Sequence, residues 1–253
     1  MNRTAVNLSV IVLVSFAAIA MGPAGFSQDA ASGVPDLSGV WGWGRCLDGT
    51  GFGCMLLDSD DARLTERAEA FRDAFDEIAA PKYDCAPMSI PHMWTDPYSH
   101  QIEQMGDRVI LSYEKDDVVR TVWMEGNNHP FPALNQFFVH GYSTGRYEGD
   151  TLVVETTRFT FDPMGLNSDF KLASSTQKRV TERYTRDEDA LLLEVTTEDI
   201  FFLEEPWVFS VRSQPDPLPL VLPWDCDLEA ARQSLLLLPS DYPDDPEVIR
   251  IED

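Results

Sequence analysis

The chain has 253 residues, 43% of them hydrophobic and 25% charged, enough apolar content for one large core. Lys and Arg number 19 against 43 Asp and Glu, a formal net charge of −24. A surface that acidic repels phosphate backbones and anionic lipid heads, which argues against nucleic acid and membrane surfaces as partners.

Met1-Asn2-Arg3 precedes an apolar run from Val6 to Met21 that only Asn7, Ser9 and Ser15 interrupt. Small residues follow at Gly22-Pro23-Ala24-Gly25. A basic start, an apolar middle and a small-residue exit predict a secretory signal peptide over 1–27, cleaved between Ala20 and Ser27. The run is short of the roughly 20 residues a spanning helix needs. The expected location is therefore periplasmic or secreted, with no membrane attachment after cleavage.

The four cysteines agree with an oxidising compartment. Cys46, Cys54, Cys85 and Cys226 contain no C-x-x-C pair and allow three connectivities. Cys46 and Cys54 bracket a stretch with three glycines that can close into a small ring. The favoured pairing is 46–54 with 85–226.

Residues 28–34 read as a flexible lead-in, 35–238 as a single domain and 239–253 as an acidic tail. Pro35 to Trp41 looks like a turn leading into a first strand. Asp60 to Ala80 is expected to be helical: Leu64, Ala68, Phe71, Phe75 and Ile78 recur at helical spacing, Asp60 or Asp61 can cap it, and Pro81 stops it. Tyr83 to Gln104 shows no clean period and reads as an ordered loop. Strands are predicted over 108–114, 118–124, 151–161, 177–185, 190–198 and 206–212. Lys115-Asp116-Asp117, Glu148-Gly149-Asp150 and Asp187-Glu188-Asp189 are hairpin-length links, so neighbours should run antiparallel. A second helix is expected within Leu228–Leu238. A meander this long packs as a sandwich or curls into a barrel.

Strand alternation places several charges among apolar neighbours. Arg120 shares a face with Val118, Val122 and Met124, and Glu182 with Val180 and Tyr184. Glu155 falls on the half-apolar face of Val153, Thr157 and Phe159. Unpaired buried charge is costly, so these residues should form an ion pair or line a wet pocket. The four histidines form no metal pair, and His129 sits in a turn, Asn127-Asn128-His129-Pro130. No nucleotide loop, zinc motif or nucleophile elbow is present, so neither a cofactor nor a metal is expected.

From His140 to Thr156 the text His-Gly-Tyr-Ser-Thr-Gly-Arg-Tyr-Glu-Gly-Asp-Thr-Leu-Val-Val-Glu-Thr resembles an uncharacterised exported bacterial family marked by a G-R-W-E-G-D-T-L-V-V-E-T block. Asp36 to Trp41, Cys85-x-Pro87, Met124-x-Gly126-x-x-His129-Pro130, Glu182-Arg183-Tyr184 and Pro206-Trp207 are similar to further pieces of it, in order. The chain departs from that pattern at Tyr142, where the family often has histidine, and at Ala173-Ser174-Ser175. Gly39-x-Trp41 is similar to the G-x-W of lipocalin-type barrels, which favours a mainly β, lipocalin-like barrel.

The leading functional expectation is a barrel that binds a small, largely apolar molecule, with Trp123, Phe131, Phe137, Phe138, Phe159 and Tyr184 as ligand contacts. An alternative is a cofactor-independent lyase, isomerase or hydrolase. Glu182 or Glu155 would then be the base, Arg120 the anion stabiliser, and Tyr142 or His129 the acid. A structural or interaction module is the third reading and requires an exposed apolar patch in place of a pocket.

Overall fold

The computed structural model describes residues 33–42, 56–59, 62–167, 171–220, 222–233 and 235, all within one compact unit, Gly33–Asp253. Its strands are β1 (Gly39–Gly42), β2 (Leu56–Ser59), β3 (His100–Gln104), β4 (Arg108–Tyr113), β5 (Val119–Met124) and β6 (Tyr142–Glu148). They continue as β7 (Thr151–Thr157), β8 (Asp162–Asn167), β9 (Leu172–Ser174), β10 (Arg179–Asp187), β11 (Ala190–Glu198) and β12 (Trp207–Pro215). Two α-helices, α1 (Glu66–Ala74) and α2 (Leu228–Gln233), flank the strand region. The leader, Cys46, Cys54 and the tail lie outside the described residues.

Hydrogen bonding runs β1-β3-β4-β5-β6-β7-β10-β11-β12, and β1 also pairs with β12, closing a nine-strand barrel. β2 takes Phe209–Val211 of β12, and β1 takes Gln214 and Pro215. The small β8–β9 pair stands apart. The fold is the mainly β, lipocalin-like barrel expected from the sequence.

Strand direction is where that expectation needs correcting. In a closed ring with an odd number of strands, directions cannot alternate all the way round, so at least one neighbouring pair must be parallel. That pair is β5–β6, joined only at Val122↔Ser143, Trp123↔Thr144 and Met124↔Gly145. Parallel neighbours cannot be linked by a hairpin, so residues 125–141 form a crossover on the outside of the wall. The three predicted hairpin links do connect antiparallel strands. Each turns on a left-handed residue: Asp116 (φ 60), Gly149 (φ 66) or Glu188 (φ 54).

The first helix is shorter than its apolar spacing implied. Thr65, not Asp60 or Asp61, caps it, its hydroxyl accepting from the Ala68 N–H at 3.2 Å. Phe75 turns extended (φ −73, ψ 122) and ends it before Pro81. Ile78 is consequently 61% exposed.

Alternation governs the core. Every second residue of β4 and β5, and of β10 as far as Tyr184, is buried, and Trp41, Leu111, Val122, Leu152, Tyr184 and Phe209 meet inside. The segment expected to be an ordered loop contains a strand, β3, and a short 3₁₀ turn at His92–Thr95. That turn inserts Trp94 into the barrel at 2% exposure.

Candidate functional site

The barrel centre holds a densely bonded polar network. Arg120, on the inward face of β5, donates through Nη2 to Glu182 Oε2 at 2.6 Å and through Nη1 to Oε1 at 3.0 Å. Its remaining Nη bonds reach the Tyr113 hydroxyl (2.9 Å), Ser143 (3.2 Å) and Thr156 (3.0 Å). Trp94 Nε1 and the Tyr184 hydroxyl both donate to Glu182 Oε1, at 2.8 and 2.9 Å. Burial alone would lower the Arg120 pKa, but the Glu182 carboxylate beside it wins and holds the guanidinium well above its ordinary value. Burial is also the main reason the Tyr113 and Tyr184 phenols titrate above their usual range. The network is a buried ion pair in which both Nη atoms of Arg120 and both carboxylate oxygens of Glu182 are bonded, as one reading of the strand faces anticipated.

A cleft of about 610 Å³ opens at the β5–β6 seam. The two strands pair over only three residues, so Val119, Arg120 and Thr121 have no ladder partner in β6 and the wall gapes there. The crossover roofs the gap with Pro130, Phe131, Phe138 and His140, while Trp123 and Tyr142 form its outer walls. Arg120 and Ser143 are reached at its floor. Arg120 Nε and His140 Nδ1 are buried without a hydrogen-bond partner, and buried polar atoms of that kind are uncommon. Burial, reinforced by Arg120 and Lys178 nearby, lowers the His140 pKa to about 4, so its imidazole is neutral at pH 7.

The roof is tied down at several points. The Tyr142 hydroxyl lies 2.6 Å from His129 Nδ1 and 2.8 Å from the Pro130 carbonyl. Both contacts are satisfied when the hydroxyl donates to the carbonyl and accepts from Nδ1–H. Arg158, at φ 61, donates to the Ala133 and Leu134 carbonyls. Gly141 has φ +68, and a Cβ there would meet Thr156 Cγ2 at 2.5 Å and the Thr157 carbonyl at 2.8 Å. Gly141→Ala is therefore expected to cost on the order of 3 kcal/mol through left-handed strain and overpacking. Urea titration measures it, and a loss under about 1 kcal/mol would mean that the crossover relaxes freely.

Of the residues proposed from sequence as catalytic, Arg120 and Glu182 meet in the barrel centre. His129 and Tyr142 meet at the cleft rim. Glu155 joins neither group: it points outward and bonds Arg146 Nη1 at 2.8 Å. Its apolar neighbour Val153 is buried from the outer side, which is why the alternation put Glu155 on a mixed face. The five do not converge on one cavity. Of the proposed ligand contacts, Trp123, Phe131 and Phe138 line the cleft. Phe137 lies beside it, 40% exposed, whereas Phe159 and Tyr184 are fully buried in the core. Phe131, which lines the cleft, is 72% exposed, and Leu134 of the same crossover is 88% exposed.

Lys178 was missed, though the alternation of Val180, Glu182 and Tyr184 reaches it two residues earlier. It is 1% exposed and donates to Ser89 Oγ, the Ile90 carbonyl and the Gly165 carbonyl at 3.0, 2.7 and 3.1 Å. Its ammonium also sits 4.3 Å from the Phe159 ring centroid. Burial lowers its pKa from 10.5 to about 7, against the pull of Asp162 and Asp199. Between those two values the unfolded chain binds the proton more tightly than the folded one, so this residue makes stability rise with pH. Lys178→Met should flatten that rise between about pH 7 and 10 in urea titrations. An unchanged slope would show that the lysine keeps its ordinary affinity for the proton.

Among the described residues, no group of three or more His, Cys, Asp or Glu side chains is placed to hold a metal ion. No family profile matches the sequence, and no curated protein does. Solved structures that match include the wild-type fluorescent protein UnaG, at 17% identity and a TM-score of 0.32, covering 71% of this chain and 96% of that one. An alanine variant of UnaG matches at 16% identity and a TM-score of 0.33, covering 72% and 97%.

Proposed function

We propose that the protein is an exported barrel that binds one small, largely apolar molecule in the cleft at the β5–β6 seam. The observation that carries this reading is the cleft itself. Its volume lies within the range of small-molecule sites, and aromatic walls surround a few polar groups at the floor. The barrel interior proper is filled with side chains, so the ligand sits under the crossover and not along the barrel axis. Export rests on the leader expected over 1–27, and the Cys85–Cys226 disulfide supports it. Kinship with the exported bacterial family of the G-R-W-E-G-D-T block belongs to the same reading.

Titration with N-phenyl-1-naphthylamine, an uncharged dye that brightens in apolar sites, tests the cleft. The dye should bind in a 1:1 ratio and quench tryptophan emission. Trp123→Ala or Phe131→Ala should each weaken binding on the order of tenfold, the worth of one buried aromatic contact. Binding that both substitutions leave unchanged would place the ligand elsewhere.

A further inference from the structure

The charges around the cleft distinguish it from the rest of the molecule. The chain carries 43 Asp and Glu, yet among the described residues no carboxylate lines this cleft, while the cation Arg120 does. Two more guanidiniums lie against its aromatic walls: Arg108 is 5.6 Å from the Trp123 ring centroid and Arg158 is 5.8 Å from that of Phe131. Arg158 donates to two backbone carbonyls and is in no ion pair among the described residues. Among the described residues, Arg108 has one ion-pair partner, the half-exposed Asp107, at 3.3 Å.

We infer that the ligand is an apolar molecule bearing a single anionic group, a carboxylate or a sulfonate, and that the arginines at the cleft select it. This rests on the cleft being the binding site. Arg120 is bound to Glu182 through both Nη atoms, so its charge is largely spent. Arg158 at the rim, with no acidic partner among the described residues, supplies the principal attraction. The net negative charge of the whole protein does not forbid this. At physiological salt, charges beyond about 8 Å are screened, so a ligand already in the cleft senses the nearby guanidiniums first. The apolar walls exclude water and strengthen that local attraction.

Two dyes that share one skeleton separate the possibilities. 1-Anilinonaphthalene-8-sulfonate carries the anion and N-phenyl-1-naphthylamine lacks it. With the full chain at low salt, the sulfonate should bind at least tenfold more tightly. Arg158→Gln should remove most of that advantage, read as the ratio of the two affinities so that a loosened roof, which weakens both dyes alike, does not mimic it. Arg158→Lys, which keeps the charge, should preserve the ratio. Raising the salt concentration should shrink the advantage in the same way. Circular dichroism and the melting temperature check that the variant is folded. Equal affinities for the two dyes, or an advantage indifferent to Arg158 and to salt, would overturn the anion inference and leave cleft binding standing. Failure of the folded protein to bind either dye would overturn both.

Discussion

Glu182→Ala should lower stability by about 3 to 5 kcal/mol, read from the urea midpoint and slope. Arg120 is 3% exposed and Glu182 is 0% exposed, so removing the carboxylate leaves a guanidinium in the core with its counter-charge gone. Trp94 Nε1 and the Tyr184 hydroxyl lose their shared acceptor at the same time. The loss is dominated by the stranded partners and not by the attraction within the pair. Replacing both members, Arg120→Met with Glu182→Leu, should therefore recover roughly half of the deficit or more, because no charge is left buried. A cost below about 1 kcal/mol for Glu182→Ala would mean that water reaches the pair. A double variant as unstable as the single one would mean that the network holds the strands in register by shape alone.

Both members of that pair could be seen in the sequence because each residue sits at the right step of an apolar alternation. β10 reads Val180, Glu182, Tyr184 on one face, and the barrel keeps that face inward. The same logic located β4, β5, β7, β11 and β12, and the acidic links between them marked the hairpins. β6 gave no such signal. Its inward positions are Ser143, Gly145 and Tyr147, and only the last, at the far end, carries a side chain that packs against the core. Gly145 is small because a Cβ would meet Val122 Cγ1 at 2.7 Å, a contact created by the parallel seam. The strand that makes the cleft thus has the weakest pattern of any in the wall. β3 hides in the same way, with Ile102 as its one inward aliphatic beside His100. Burial pulls the His100 pKa down to about 3, and its ring packs as an aromatic against Trp94 and Tyr113. No local rule foretells a parallel pair, because it follows from the number of strands in the closed ring. The cleft aromatics were visible as a supply of large side chains. Which of them face the cleft was decided by the crossover, whose path depends on that closure.

The second large effect concerns the disulfide between Cys85 and Cys226. Their Cα atoms are 6.0 Å apart and their sequence separation is 141, within the span a bridge requires. The pairing is one of the three that four cysteines allow. It joins the chain just before β3 to the segment after β12, so the loop it closes contains most of the barrel. In the chain-entropy account a loop of that length stabilises by about 5 kcal/mol, less any native strain. A bridge between Cys46 and Cys54 would close so short a loop that the same relation assigns it roughly half as much. Cys226→Ser should accordingly lower the melting temperature by roughly 10 °C or more, at about 2 to 4 °C per kcal/mol for a domain of this size. Cys46→Ser should lower it clearly less. Reduction of the wild-type protein should reproduce at least the larger shift. The folded state of the Cys226→Ser variant should retain its contacts, since the Trp224 N–H bond to Asp117 (2.7 Å) and the Tyr98–Trp224 ring contact do not depend on the sulfur. The expected signature is thus a lower melting temperature with the circular dichroism of the folded barrel intact. Equal shifts from Cys226→Ser and Cys46→Ser, or accessible thiols at Cys85 and Cys226 in the unreduced protein, would contradict this account.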